Sequence, residues 1–346
     1  MRAVVVHGRH DLRVEDVPAQ ALGPTDVRVR VAAAGICGSD LHYYHHGRIG
    51  TIELKEPMVL GHELAGTVVE IGPEVTGIAP GTRVAVDPSR PCGTCAFCLA
   101  GQPRHCVDMR FLGSAMRFPH VQGGFREDIV VDWRQAVPVD DSVSLAEAAM
   151  AEPLAVCLHA AGRAGPLLGR RVLVTGCGPI GVLCVAVARA AGAAEIVATD
   201  LHDGPLAVAA RMGATRTVNV VASPHGLDAD AAGRGRFDVM LEASGAEAAL
   251  RLALPLLRPG AVLVQVGMAG ELSLPFNVLV AKEIELRGTF RFDTEFRLAV
   301  ELIENRTFDL RPLLTRTLPV AEAKAAFDLA TDRSTAMKVQ LDFAAV

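Results

Sequence analysis

Residues 171–181 read Arg171-Val172-Leu173-Val174-Thr175-Gly176-Cys177-Gly178-Pro179-Ile180-Gly181. An apolar strand, a G-x-G-x-x-G run and an apolar helical stretch over 180–191 follow one another without a gap. Asp200 closes the next apolar strand, nineteen residues after Gly181. In that context a glycine run binds a dinucleotide. The glycines let the backbone approach a pyrophosphate, which the free N–H groups and dipole of the helix N-terminus stabilise. Asp200 is placed to accept hydrogen bonds from the adenosine ribose hydroxyls and to repel a 2′-phosphate. No Lys or Arg follows it until Arg211, so NAD is expected rather than NADP. A glycine-rich turn without a ligand is the bland alternative.

The alternation continues outward from this stretch. Strands at 195–199, 237–241 and 261–266 are separated by helical segments such as 246–257, which implies a parallel sheet covered on both faces. Ser244 and Gly267 end later strands and face the nucleotide crevice, where a plain turn role is an equal alternative. The candidate cofactor-binding residues are therefore Gly176, Gly178, Pro179, Ile180, Gly181, Asp200, Ser244 and Gly267. The stretch 228–233 reads as a surface loop.

Before this region the texture differs. Asp26-Val27-Arg28-Val29-Arg30-Val31 alternates with period two, and short strand-like runs recur at 66–71, 83–86 and 128–131 between Gly-Pro turns. Ser144-Leu145-Ala146-Glu147 forms a capping box that opens an Ala-rich helix to about Arg163, with a break expected at Pro153. After Gly288 come a helix near 295–304 and a last strand at 338–341. The expected fold is α/β: a mostly β domain, 1–147 and 289–346, with a doubly wound α/β domain, 148–288, inserted into it.

The chain has 346 residues, half of them hydrophobic and 21% charged, with a formal net charge of −5. That length leans toward two domains, and the acidic balance argues against a nucleic-acid or anionic-membrane partner. No secretory signal is legible at the start. The longest uncharged run, 172–189, falls just short of spanning length, so a cytoplasmic location without a membrane span is expected.

Four of the eight cysteines fall within fifteen residues, as Cys92-x2-Cys95-x2-Cys98-x7-Cys106. Four thiolates on one short lobe make a closed tetrahedral zinc site that braces a polar loop. A redox dithiol or accidental clustering is the alternative. A looser constellation comprises Cys37 in Gly35-Ile36-Cys37-Gly38-Ser39-Asp40, His62 and Glu63 in Gly61-His62-Glu63, and Glu152 in Ala151-Glu152-Pro153-Leu154. Singly these are a buried thiol, a core-edge histidine and two carboxylates; together they are a candidate site.

These motifs, the cysteine lobe and the inserted nucleotide unit resemble, in order and over essentially the whole chain, the zinc-dependent medium-chain dehydrogenases. The resemblance implies a GroES-like catalytic domain around a Rossmann cofactor domain. Within that superfamily the chain resembles the polyol dehydrogenase branch, whose metal is held by Cys, His and Glu. Ser39-Asp40-Leu41-His42-Tyr43-Tyr44, the run Asp108–Met116 with Phe118-Pro119-His120, and Gly288-Thr289-Phe290-Arg291-Phe292 resemble the L-idonate 5-dehydrogenase subfamily. The resemblance implies a catalytic zinc on Cys37, His62 and a carboxylate. Glu63 is favoured as the ligand, with Glu152 as ligand or holder of the metal-bound water. By the same resemblance, Ser39 is expected to take the hydroxyl proton and His42 to help pass it on. Tyr43 and Arg291 contact a sugar acid or polyol, with Arg117 and His120 as further candidates for which surface salt bridging is the alternative. Homologues form dimers or tetramers, here through strands near 272–274 and 284–288.

Overall fold

Val27, Val29 and Val31 are fully buried, while Arg28 and Arg30 between them reach outward. Those valines make Asp26–Gly35 the central strand of a seven-stranded sheet. Glu63–Ile71 pairs along one edge, and Asp128–Asp132 and Lys338–Asp342 share the other, all antiparallel. Leu314–Pro319 then pairs parallel with Lys338–Asp342. The computed structural model describes residues 1–268 and 270–344. Met1–Glu152, Phe296–Asp332 and the segment from Lys338 form one compact unit; Pro153–Glu295 and Arg333–Met337 form a second.

The second unit is built on Arg171–Thr175. Its interior residues Val172, Leu173 and Val174 are fully buried, as covering both sheet faces requires. Six parallel strands lie in the order Arg216–Asn219, Glu195–Asp200, Arg171–Thr175, Phe237–Glu242, Leu257–Gln265, Glu285–Gly288. Numbered within the unit this is 3-2-1-4-5-6, the dinucleotide-binding order. The turn after the first strand opens the helix Pro179–Ala190.

Three local expectations are corrected or refined. The Ala-rich helix breaks earlier than Pro153, between Leu145–Ala148 and Ala151–Ala164. Pro153 lies in the first turn of the second helix, where its missing N–H costs nothing. Residues 228–233 are largely exposed, as expected, but carry 3-10 turns with a kink at Ala232 and Gly233, and Asp230 is 1% exposed, accepting from Arg216 and Arg236 at 2.5 and 3.2 Å. Residues 272–274 form no strand, whereas Glu285–Gly288 is the edge of the parallel sheet. Among the described residues no helix is long and apolar enough to cross a membrane.

Candidate active site

The central strand runs through Ile36 to Cys37, which caps the helix Gly38–His46. Asp40, fully buried in the first turn of that helix, accepts from the backbone N–H of Cys37 at 2.9 Å and of Gly61 at 3.2 Å. One carboxylate thus ties together the two loops that present Cys37 and His62. Burial raises the Asp40 carboxyl above its ordinary range, and His62 draws it back.

Glu63 opens the strand that pairs with the central one, directly across from Gly35. A Cβ on Gly35 would stand 2.2 Å from Glu63 Oε2, so the carboxylate occupies room that only glycine leaves. Ligand atoms of Cys37, His62 and Glu63 all lie within 4.8 Å of one another. His62 Nδ1 is buried without a hydrogen-bond partner, 3.9 Å from Asp40 Oδ1. Lys338, from the strand beside the central one, donates to both Glu63 oxygens at 2.7 and 2.6 Å and to the Ile36 carbonyl at 3.2 Å. Burial opposes the Lys338 charge, but Glu63 more than restores it and holds its pKa above the usual lysine value.

Glu152 stands beside this trio, 6% exposed, in the first turn of Ala151–Ala164. Burial pushes its carboxyl up to about 8, His62 opposing and Glu63 and Cys37 adding to the rise. Burial likewise pushes the Cys37 thiol up to about 12, with Glu63 adding repulsion, while a hydrogen bond from Ser39 favours the thiolate. Buried anionic groups so close together hold their protons unless a cation replaces them. One thiol, one imidazole with an orphaned nitrogen and one carboxylate fit a zinc that keeps a position open.

His42 lies one turn beyond Ser39 on the same helix and is half-buried. Tyr43 is 2% exposed, and its hydroxyl accepts from the Ala115 N–H at 3.0 Å. Arg117 is a structural brace: it pairs with Asp108 at 2.5 Å and donates to the carbonyls of Met109 and Val107. His120 is no surface group. Buried, it receives the Lys55 N–H on Nε2 at 2.8 Å, and its Nδ1 lies 2.6 Å from the Arg117 carbonyl. Those contacts hold the ring by both of its nitrogens. Arg291, in the second unit, has φ of 52° and stacks its guanidinium 4.8 Å over Phe290.

The cysteine lobe gathers its four sulfurs within 4.8 Å of one another. Backbone N–H groups of Cys95, Cys92 and Asp108 donate to the sulfurs of Cys92, Cys106 and Cys106 at 3.2–3.3 Å. Hydrogen bonds from Thr94 and Cys95 bring the Cys92 thiol down to about 6. Cys95 is lowered by the N–H groups of Cys98 and Val107, whereas desolvation and its neighbours push Cys98 up to about 12. Donors aimed at sulfur favour thiolates, as a four-sulfur zinc site requires.

In the second unit, a Cβ on Gly181 would lie 1.7 Å from the Gly176 carbonyl, so helix and turn pack too closely for any side chain. A Cβ on Gly178 would meet only open space, at the N-cap of the helix, which suits close approach of a phosphate. Asp200 accepts the Cys177 N–H at 2.7 Å and the His202 N–H at 3.0 Å, bracing the glycine turn. Ser244 is held by Glu242, which the sequence reading passed over. Fully buried, Glu242 accepts from Thr175 Oγ1, the N–H groups of Ser244 and Gly245, and Gln265 Nε2. It binds three strand ends into one wall, with Gly267 beside Gly245. Asp40 and Lys338 were missed likewise. Asp40 sits inside a quoted motif, but Lys338 leaves no signal beyond its charge at the head of a K-V-Q-L-D strand.

A glycine-turn parallel sheet, with a thiolate, imidazole and carboxylate gathered on a separate β unit, defines a metal-dependent dehydrogenase. The comparisons agree. Residues 23–141 match the alcohol dehydrogenase GroES-like domain, and residues 179–305 the zinc-binding dehydrogenase domain. The chain is 43% identical to L-idonate 5-dehydrogenase (NAD(P)(+)) of Escherichia coli K12 over 91% of both chains. It is 36% identical to sorbitol dehydrogenase of Rattus norvegicus over 95% of this chain and 92% of that one. The crystal structure of the E. coli L-idonate 5-dehydrogenase superposes with a TM-score of 0.94 at 41% identity, covering 99% of this chain and 97% of that one. The chain belongs to the zinc-binding dehydrogenase family, as a zinc-dependent, NAD(P)-linked oxidoreductase acting on a small molecule.

Proposed function

We propose that the chain oxidises the C5 alcohol of L-idonate to 5-keto-D-gluconate, and runs the reverse reduction, with NAD as hydride carrier. The observation that carries this reading is the bond from the Ala115 N–H to the Tyr43 hydroxyl. It seats the run 109–116, which resembles the L-idonate subfamily, against the helix that presents Ser39 and His42. The likeness to sorbitol dehydrogenase supports a second reading, a polyol dehydrogenase acting on sorbitol, L-iditol or xylitol.

Cys37, His62 and Glu63 hold the catalytic zinc, with Glu152 at its side, and Cys92, Cys95, Cys98 and Cys106 hold the structural one. When bound, zinc makes a substrate alcohol acidic and NAD accepts the hydride. Ser39 takes the hydroxyl proton, and His42 passes it toward solvent. Glu152 orients water or the substrate hydroxyl by hydrogen bonding. Asp40 holds the Cys37 and Gly61 loops in place, and Lys338 offsets one of the three anionic groups. Tyr43 and Arg291 contact the sugar chain. Gly176, Gly178, Pro179, Ile180 and Gly181 cradle the pyrophosphate, Ser244 and Gly267 border it, and Asp200 selects NAD over NADP.

Assembly as a homodimer or homotetramer is supported by the edge strand Glu285–Gly288. Leu286 on that strand is 45% exposed, and Phe276 and Val280 on the helix Phe276–Lys282 are 64% and 74% exposed. A cytoplasmic location fits a reaction on soluble sugar acids and NAD. The test is initial-rate NADH production by zinc-loaded enzyme on L-idonate, L-iditol, sorbitol and xylitol. Preference for L-idonate is expected; preference for a polyol selects the second reading.

A further inference from the structure

Arg9, His42, His46, Arg48 and Gly50 line an open pocket of about 460 Å³ in the first unit. Its guanidiniums come from separate elements. Arg9 lies in the turn between the strands Arg2–Gly8 and Asp11–Asp16, and Arg48 starts the short strand Arg48–Ile49. No acidic side chain lines the pocket, and neither arginine forms a salt bridge among the described residues. Two guanidiniums facing one pocket without a carboxylate beside them make it electropositive, which favours an anion there.

The pocket continues the catalytic face. Ser39, His42 and His46 follow at i, i+3 and i+7 of one helix, so they share a side, and the two imidazole rings are 5.6 Å apart. That face begins at Ser39, against the Cys37 thiol, and ends in the pocket about 10 Å along the axis. The side chains of the metal site offer a substrate carboxylate no free cation: Cys37, Glu63 and Glu152 are acidic groups, and Lys338 is committed to Glu63.

We infer that this pocket binds the C1 carboxylate of a sugar-acid substrate, with Arg9 and Arg48 supplying the forked donors. The inference rests on the aldonate reading above. Four carbon–carbon bonds separate C5 from C1 in L-idonate, so a chain lying along this face carries its carboxylate toward the two guanidiniums. L-iditol carries a neutral hydroxymethyl group at C1 and gains little there, so the pair sets specificity rather than chemistry.

The test measures kcat/KM of zinc-loaded Arg9→Met, Arg48→Met and the double variant on L-idonate and L-iditol at saturating NAD. In the double variant, kcat/KM for L-idonate falls about thirtyfold, chiefly through KM, and for L-iditol less than about threefold. Turnover of L-iditol reports that the variants are folded, and Arg48→Lys recovers part of the loss. Equal losses on both substrates, or an undiminished preference for L-idonate, overturn the inference. So does a raised KM for NAD on both, which assigns the pocket to a cofactor phosphate. If the unaltered enzyme fails to prefer L-idonate over L-iditol, the substrate reading itself falls, and this inference with it.

Discussion

Lys338 and Glu63 form a buried ion pair, both carboxylate oxygens bonded to one ammonium, with the two side chains 3% and 1% exposed. Removing one partner of such a pair strands a charge in a poorly solvating place, at a cost of about 3–5 kcal/mol. Lys338→Met is therefore expected to lower unfolding stability by that order in metal-free protein. The loss is smaller in zinc-loaded protein, where the metal charge meets Glu63. Urea unfolding of both forms checks this; equal losses would mean that Glu63 does not face the metal.

Cys37→Ser keeps the size of the side chain and removes the thiolate. The expected outcome is a turnover lower by about a thousandfold. Bound zinc falls from two ions per chain to one, and NADH affinity is unchanged. Elemental analysis with a fluorescence titration of NADH separates the two effects. Full zinc content with normal turnover would remove Cys37 from the metal site.

Asp200→Ala deletes the carboxylate at the end of its strand and also releases the Cys177 N–H. The ratio of kcat/KM for NAD over NADP should fall at least about tenfold, equivalent to about 1.4 kcal/mol. KM for NAD rises as well, because the glycine turn loses a brace. An unmoved ratio would show that another group reads the ribose.

Burial alone would raise the Glu295 carboxyl, but hydrogen bonds from His159 and from the Asp293 N–H bring it down to about 2. The folded value lies below the unfolded one, about 4.3. Its contribution is thus present above pH 5 and lost as pH falls toward 2. Glu295→Gln should reduce stability near neutral pH and flatten the acid limb between about pH 5 and 2. Urea midpoints against pH test this; parallel curves for the two proteins would refute it.

What the sequence made legible was whatever the chain builds from neighbours. The turn at 176–181 needs only the strand before it and the helix after it, and the four cysteines meet across fifteen residues, so spacing carried both. Glu63 and Lys338 are 275 positions apart, and nothing in a K-V-Q-L strand announces a carboxylate across the sheet. His120 misled for the opposite reason. A lone histidine close to Arg117 suggests surface salt bridging, but Lys55 and the Arg117 carbonyl enclose it from two sides. Pro153 was read as a breaker because composition does not say which turn of a helix it occupies.

Lys338 also sets an order of events during synthesis. A ribosome releases Cys37, His62 and Glu63 early and Lys338 only 275 residues after Glu63, a wait on the order of tens of seconds. Between them the whole parallel sheet emerges, with its parallel strand pairings already in hand. For that interval the early sheet lacks the strand that fills its second edge, and Glu63 has no lysine cation to meet it. The nascent chain therefore releases every strand of its parallel sheet before the lysine that closes the chemistry.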